Sequence, residues 1–368
     1  MQSMTGKRSK RCMRALPNTG ERAYVFAKTC GIIGKSFVGK RMHSLEKVTR
    51  LSELDRMIFP SSPLNLPEKE LLVDLEKRII GRTVNSIISI VECFSRPPEF
   101  IVHLLKSYEY LDLINAVNAS IEKETNLPAY TDLGPFQTIR FNAWPDIKAM
   151  VEGTAFDFIL DIKNILNVTG DKTEKKFALQ NALDRHYYEN LWKSLLRLPA
   201  RDRQAAERIL SDEISLKNCA WVLRLRCYYA MPPAKVRAYL LDIPAGGKAR
   251  RHQAKQASRT LADDALKCLE FPLNNFSAWS SWRWKEFLNS SSAERLWQVD
   301  PKYFQNAASR HLFHLAKHYF RLKPFSLDTI FCFIKLKQFE EDLLTSGAEG
   351  LSVGMSTKDI ISMLGVES

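Results

Sequence analysis

The chain has 368 residues, of which 45% are hydrophobic and 26% charged, a composition that excludes intrinsic disorder and allows a large buried core. A net charge of +13 predicts attraction to a nucleic acid, an anionic membrane surface or an acidic protein. No apolar run approaches the roughly 20 residues of a bilayer span, and we identify no signal peptide. Seven scattered cysteines without a Cys-x-x-Cys pair predict reduced thiols in the cytosol.

The predicted elements are helices almost throughout. Residues 1–20 are basic and short of large apolar groups, which predicts a flexible leader. From residue 21 onward, apolar residues recur every three or four positions, as on amphipathic helices, and the alternation typical of strands is absent. A first long helix ends at residues 95–98, because proline cannot donate the helical hydrogen bond. A second helix follows, with a polar band near its middle at residues 108–115.

Part of this pattern is repeated along the chain. Residues 179–188 and 304–313 share the motif Gln-Asn-Ala-x-x-Arg-His at an offset of 125 residues, and the same offset carries Pro199 onto Pro324. A matching proline junction lies 102 residues before Pro199, at Pro97. Further polar bands follow at 212–218 and 334–340, the last aligned only to within about one helical turn. Each copy also opens with a short element rich in Leu or Trp.

These repeats predict an organisation in three related helical units. We expect the flexible leader at 1–20, the first unit at 21–133, the second at 134–245 and the third at 246–368. A period near 100 residues exceeds the 20–50 residues of solenoid repeats, so small helical domains around a shared axis are favoured over a stacked superhelix. Chance similarity among amphipathic helices is the alternative, and the shared seven-residue motif argues against it.

A phosphate-binding loop is the first candidate for chemistry. Residues 29–36 contain the second glycine, the lysine and the serine of the Gly-x-x-x-x-Gly-Lys-Ser/Thr motif, whose backbone amides and lysine hold phosphates. Thr29 stands where the first glycine belongs, and the preceding residues 22–28 suit a helix at least as well as a strand. We therefore expect no nucleotide binding, and no cofactor of any kind.

Two further patterns suggest a ligand. His311, His314 and His318 lie along one helical face at a spacing that could reach a zinc ion, but the corresponding second-unit positions after His186 carry no histidine. Ordinary surface histidines are the favoured interpretation. The basic segment 248–259 could contact phosphates, yet it lacks the interleaved aromatics of a single-strand platform. A solvated linker between units is expected there.

The ordered set of segments resembles a known family. The segments are residues 22–28, 154–157, 213–226, 231–233, 239–240 and 333–341. Together with the repetition, they are similar to the central-rotor coupling subunit of V-type and A-type ATPases, which is named C in prokaryotic complexes and d in eukaryotic ones. The resemblance spans roughly residues 21–365. Gln338 stands where an acidic residue is common, and Asp342 where asparagine is common.

This resemblance implies an all-α, threefold pseudo-symmetric, funnel-shaped protein without catalytic residues. Such a protein sits on the cytoplasmic face of the membrane proteolipid rotor ring, receives the lower end of the central stalk, and couples ATP turnover to ion transport. No small-molecule substrate and no nucleic acid are expected. Contacts with the stalk are predicted for five cations on equivalent helices of two units: Lys217, Arg224, Arg226, Lys335 and Lys337.

Two alternatives stay open at this point. The five cations could form a solvated outer face of the molecule instead of contacting the stalk. The basic surplus of the whole chain could also belong to a helical nucleic-acid-binding adaptor, which would bind DNA or RNA with a steep dependence on salt concentration. In that case the basic segment 248–259 is the site to test.

Overall fold

The computed structural model describes residues 18–39, 41–161, 172–245, 259–290, 296–358 and 361. Within these ranges the chain is helical, with one isolated antiparallel bridge between Pro244 and Thr260, so the all-α prediction is confirmed. The α-helices are α1 (Thr19–Gly34), α2 (Met42–Leu45), α3 (Leu51–Ile58), α4 (Glu68–Val91), α5 (Glu99–Leu105), α6 (Ser107–Glu122), α7 (Ile147–Val151), α8 (Phe158–Asp161), α9 (Lys172–Leu196), α10 (Gln204–Tyr229), α11 (Pro233–Ala238), α12 (Asp263–Cys268), α13 (Pro301–Tyr319) and α14 (Leu327–Ser352). Short 3₁₀ turns lie at Gly134–Phe136, Phe141–Ala143, Ala200–Asp202, Phe276–Trp279 and Lys285–Phe287.

Capping side chains set the starts of two long helices. Asn18 accepts a hydrogen bond from the Glu21 backbone N–H at 2.8 Å, and Glu21 accepts one from the Asn18 N–H at 3.1 Å, which forms a capping box. Helix α1 therefore begins at Thr19, slightly before the predicted position, and residues 1–17 of the predicted leader lie outside the described residues. Asp300 caps α13 by accepting hydrogen bonds from the backbone N–H groups of Lys302 and Tyr303, and Pro301 is the first residue of the helix.

Proline junctions separate the long helices, as the sequence predicts. Helix α4 ends at Val91, and α5 begins directly after Pro98. The junction between α9 and α10 contains Pro199, and the junction between α13 and α14 contains Pro324. The single helix expected after Pro98 is instead divided at Lys106 into α5 and α6.

The long helices pack in a cyclic order. Helix α6 packs against α9, α10 packs against α13, and α14 packs against α4. In terms of the predicted units, the second long helix of each unit covers the first long helix of the next. Helix α14 also contacts α1, α3, α5 and α10, and most of its residues are buried. The core is therefore shared between segments that are far apart in sequence, and the unit boundaries remain a prediction.

The buried apolar side chains form two clusters. The larger one, which we call the main core, joins α1 to α6 with α9, the first part of α10 and α14. The smaller one, which we call the tryptophan core, joins the second half of α10 to α12 and α13 through Trp279, Trp282 and Trp284. Trp282 stacks on Phe304 of α13, with ring centroids 5.6 Å apart. The two cores meet along α10 and α13.

The two copies of the repeated motif make equivalent contacts. A hydrogen bond of 2.7 Å joins Tyr110 Oη on α6 to His186 Nδ1 on α9. At the corresponding place, His311 Nε2 on α13 lies 3.1 Å from Asp212 Oδ2 on α10. The histidines are related by the 125-residue offset, and Tyr110 and Asp212 by the 102-residue offset between proline junctions. The sequence repetition thus corresponds to a repeated contact between neighbouring helices.

Candidate functional site

A passage lined by charged and apolar side chains lies between the long helices. Two cavities of about 340 and 240 Å³ adjoin each other and share Glu213, Lys217, Ser309 and Leu312 on their walls. Helices α6, α9, α10, α13 and α14 line the larger cavity, and α9, α10 and α13 line the smaller one. We call the two together the central passage. All three predicted polar bands contribute side chains to it.

The passage runs from mid-bundle away from the proline junctions. Glu213 is nine residues beyond Gln204, where α10 begins, so it lies about 14 Å along the helix from the junction end. Arg224, on the wall of the smaller cavity, lies about 30 Å from the same end. The smaller cavity is thus nearer the end of the bundle at which α10 finishes with Tyr229.

Ion pairs between helices hold the wall of the larger cavity. Lys335 Nζ on α14 lies 2.7 Å from Glu213 Oε2 on α10, and Lys217 Nζ lies 3.1 Å from Asp184 Oδ2 on α9. Tyr188 donates a hydrogen bond of 3.1 Å to Glu213. The side chains of Lys335 and Glu213 are only 11% and 16% exposed. Each charge therefore depends on its partner, because an unpaired charge at this depth is costly.

A protonatable carboxyl lies on the α14 side of the same cavity. Tyr108 on α6 donates a hydrogen bond of 2.9 Å to Glu341. Burial raises the pKa of Glu341 to about 7, and the neighbouring Asp342 charge acts in the same direction, while the hydrogen bond from Tyr108 opposes it. Burial also raises the pKa of the Tyr108 hydroxyl. Glu341 is consequently partly protonated near neutral pH.

Three of the five cations expected from sequence line the passage. Lys217 and Lys335 lie on the larger cavity, and Lys217 and Arg224 on the smaller. Arg224 is exposed, and its guanidinium carbon is 5.8 Å from the ring centroid of Trp221, which lines the same cavity. Whether these side chains bind a partner stays a prediction.

The other two expected cations lie elsewhere and make internal contacts. Arg226 donates hydrogen bonds to the carbonyls of Cys268 and Phe271, which tie α10 to the loop after α12. Lys337 is buried on α14 and pairs with Glu340. Burial lowers the pKa of both cations. Neither residue lines the central passage.

Sequence reasoning missed the contribution of the repeated motif to the passage. Gln180 and Gln305 line the smaller cavity, and Asp184 and Ser309 line the larger one. The members of each pair are 125 residues apart and occupy equivalent positions on α9 and α13. The repeated motif was therefore the signal for this surface. A motif with polar residues on the same face of two helices indicates that both helices line one polar surface.

The structure also places the motifs that the sequence analysis set aside. Residues 29–33 belong to α1, and the Thr29 hydroxyl donates to the Phe26 carbonyl at 2.8 Å, so the chain forms a helix there instead of a phosphate-binding loop. Among the described residues no cluster of three His, Cys, Asp or Glu side chains could hold a metal ion.

Of the basic segment 248–259, only Arg259 lies within the described residues. The helices that the structure describes include none with both the length and the apolarity for crossing a bilayer.

Comparison with known proteins identifies the family. A protein of Treponema pallidum (strain Nichols), named only as an uncharacterized protein, is 27% identical over 335 residues, which is 90% of this chain and 92% of the relative. The family model described as the ATP synthase (C/AC39) subunit matches residues 65–363, and so covers all the helices that line the central passage. The chain therefore belongs to the ATP synthase (C/AC39) subunit family of V-type and A-type ATPases.

Proposed function

We propose that this chain is the non-catalytic coupling subunit of a rotary ATPase, and that it joins the central stalk of the soluble head to the membrane rotor ring. The stalk seats in the central passage and turns with it, so that ATP turnover and ion transport stay linked. The observation that carries this proposal is the central passage itself, because polar faces of helices from all three predicted units meet there. Family membership supports it independently.

The lining of the passage suits a protein partner. Paired charges such as Lys217–Asp184 would orient a shaft by electrostatic complementarity, and the apolar side chains between them, such as Leu312 and Phe339, would pack against it. Towards the outer end, Trp221 and Arg224 provide the residue types that dominate binding energy at protein interfaces. A torque coupler needs this combination of a shaped, polar seat and rigid walls, and it needs no reactive group.

The rigidity of the walls follows from the cyclic packing of the long helices. Because α6, α10 and α14 each pack on the first long helix of another predicted unit, torque applied to one helix passes to its neighbours through packed side chains. The equivalent contacts Tyr110–His186 and Asp212–His311 support two related units, and we extend this arrangement to three units around the passage. The funnel shape belongs to the same proposal.

The direction of the passage orients the molecule. The passage leads away from the proline junctions, so a stalk that enters it lies on the opposite side of the molecule from the junctions. The junction end then faces the membrane. We therefore assign that end to the rotor ring, on the cytoplasmic side, as a peripheral contact. The nucleic-acid adaptor is the competing hypothesis, and the test below includes it as an outcome.

The test is recovery of partners from membranes. The tagged full-length chain is purified from detergent-solubilised membranes, and the bound proteins are identified by mass spectrometry. We expect stalk and ring proteolipid subunits in fixed proportion. Arg224→Glu should reduce the recovery of stalk subunits and spare that of ring subunits, whereas Arg56→Glu, an equal charge change at an exposed position on α3, should change neither. A chain found free in cells with an intact rotary ATPase, or bound to nucleic acid, would overturn the proposal.

A further inference from the structure

The three proline junctions meet at one end of the helical bundle. Glu21 at the start of α1 accepts hydrogen bonds from the backbone and the hydroxyl of Ser95, at 3.1 and 2.6 Å, in the first junction. Arg22 pairs with Asp202 of the second junction at 2.6 Å and donates to the Phe325 carbonyl of the third at 3.3 Å. The first turn of α1 therefore contacts all three junctions. Together they form one surface, which we call the junction face.

Exposed cations are distributed over this face. Each junction contributes at least one: Arg96, Arg197, Arg201, Arg321 and Lys323. The acidic groups are fewer. Asp202 is buried against Arg22, Glu99 pairs with Arg197 at 3.0 Å, and Glu21 accepts the hydrogen bonds from Ser95. Glu92 is a further, exposed carboxylate. The junction face is therefore a positively charged surface.

Apolar side chains are exposed among these cations. Leu322 and Phe325 are 53% and 45% exposed, and the rings of Phe325 and Phe26 on α1 pack edge to face with centroids 5.3 Å apart. Tyr24 on α1 is 61% exposed. Residues 321–325 thus bring charged and apolar groups together on an exposed turn. Such a surface suits the headgroup region of a bilayer, where cations meet phosphates and apolar side chains reach the acyl boundary.

The chain that precedes α1 adds to the charge. Residues 1–17 contain five Lys or Arg and no acidic residue, and they join the described chain at Asn18, next to the junction face. A basic segment attached to a basic, partly apolar surface increases attraction to an anionic bilayer, because each cation near the surface contributes separately. A nucleic acid would be attracted by the same charge, but it would gain nothing from exposed Leu322 and Phe325.

We propose that the junction face binds the anionic headgroups of membrane phospholipids. The orientation rests on the proposed function, which already turns this end towards the rotor ring. Lipid contact would add a second attachment beside the ring and would keep the axis of the protein perpendicular to the membrane. The ligand class is an anionic phospholipid presented in a bilayer, and a soluble nucleic acid is the competing outcome.

The test is flotation of the purified full-length protein with vesicles. Phosphatidylcholine vesicles with and without phosphatidylglycerol are compared, and the expected result is salt-sensitive binding only when the anionic lipid is present. The double variant Arg96→Glu plus Arg321→Glu should bind on the order of tenfold or more weakly. Both residues are exposed, and among the described residues neither forms an ion pair. Circular dichroism of the variant should match that of the parent chain.

The controls separate this proposal from its alternatives. Arg56→Glu plus Lys148→Glu makes the same change in net charge at exposed positions on α3 and α7, and it should bind vesicles as the parent chain does. Equal weakening by both double variants, equal binding to neutral vesicles, or tighter binding to DNA or RNA that the junction variant abolishes would each overturn the lipid proposal. Recovery of stalk and ring subunits together with absent flotation would reject lipid binding and leave the coupling role intact.

Discussion

At the scale of single residues, the passage is defined by charges that balance each other across helices. Glu213 on α10 contacts both Lys335 on α14 and Tyr188 on α9, so one carboxylate joins three helices. The sequence predicted stalk contacts for Lys217 and Lys335 on equivalent helices, and in the structure both line the larger cavity, while the stalk contacts stay a prediction. It could not predict that Arg226 and Lys337 turn to internal partners, since the carbonyls and the carboxylate they contact depend on tertiary packing.

Removal of Glu213 tests the importance of charge balance for stability. Glu213→Leu leaves Lys335 unpaired with its side chain only 11% exposed, and we expect the free energy of unfolding to fall by about 3 kcal/mol. The double variant Glu213→Leu plus Lys335→Met should recover most of that loss, because neither charge remains. Denaturant titration measures both variants. The matched control is Lys148→Met, whose pair with Glu152 is 69% and 63% exposed and should contribute less than about 1 kcal/mol. An unchanged single variant would contradict the argument.

Glu341 predicts a specific dependence of stability on pH. Its pKa rises from 4.5 to about 7 in the folded chain, so between these pH values the unfolded chain loses a proton that the folded chain keeps. The folded state therefore loses stability as pH rises through this window, by about 3 kcal/mol in total. Glu341→Gln removes this loss and retains an acceptor for Tyr108.

The expected result is that Glu341→Gln unfolds at a higher temperature than the parent chain at pH 8, and at a similar temperature at pH 4. Thermal unfolding followed by circular dichroism at both pH values measures the difference. Glu286→Gln is the control, since that side chain is 80% exposed and should give no pH-dependent difference. Equal melting temperatures of parent and Glu341→Gln at pH 8 would show that the carboxyl is not shifted.

At the scale of elements, the ends of helices were the most predictable feature. Pro98, Pro199 and Pro324 mark the three junctions because proline removes a backbone donor, a local effect that the sequence contains in full. The division of one expected helix at Lys106 into α5 and α6 was not predictable from local sequence. The residues around Lys106 favour a helix, and the change of direction lets α5 and α6 both pack against α9.

Caps provide a test at this scale. Asn18→Ala removes the acceptor for the Glu21 backbone N–H at the start of α1, and Asp300→Ala removes the acceptors for Lys302 and Tyr303 at the start of α13. Each change should lower the free energy of unfolding by about 1 kcal/mol. Asn18→Ser and Asp300→Ser keep an acceptor and should lose less, as denaturant titration would show. Alanine and serine variants of equal stability would contradict the assigned caps.

At the scale of the whole molecule, the cyclic packing of the long helices was not readable from the sequence. The repeat showed that similar helices recur, but similarity does not say which helix packs on which. Helix α14 belongs to the third predicted unit and yet packs on α4 of the first, so that the apolar face of α4 is covered by α14 as well as by α1, α3 and α5. Because α14 packs on α4, the long helices form a closed cycle. In this cycle the three polar bands all line the central passage.

Native-state hydrogen exchange tests this closure. If α4 and α14 form one cooperative body, their backbone amides should share the same high free energy of exchange, although the helices stand at opposite ends of the sequence. Leu75→Ala on α4 removes a fully buried side chain from the main core, and it should lower the protection of both helices together by about 3 kcal/mol. Trp282→Ala in the tryptophan core is the matched change, and it should act first on α12 and α13. Loss of protection in α4 without loss in α14 would show that the predicted units are stabilised separately and that the cycle does not unite them.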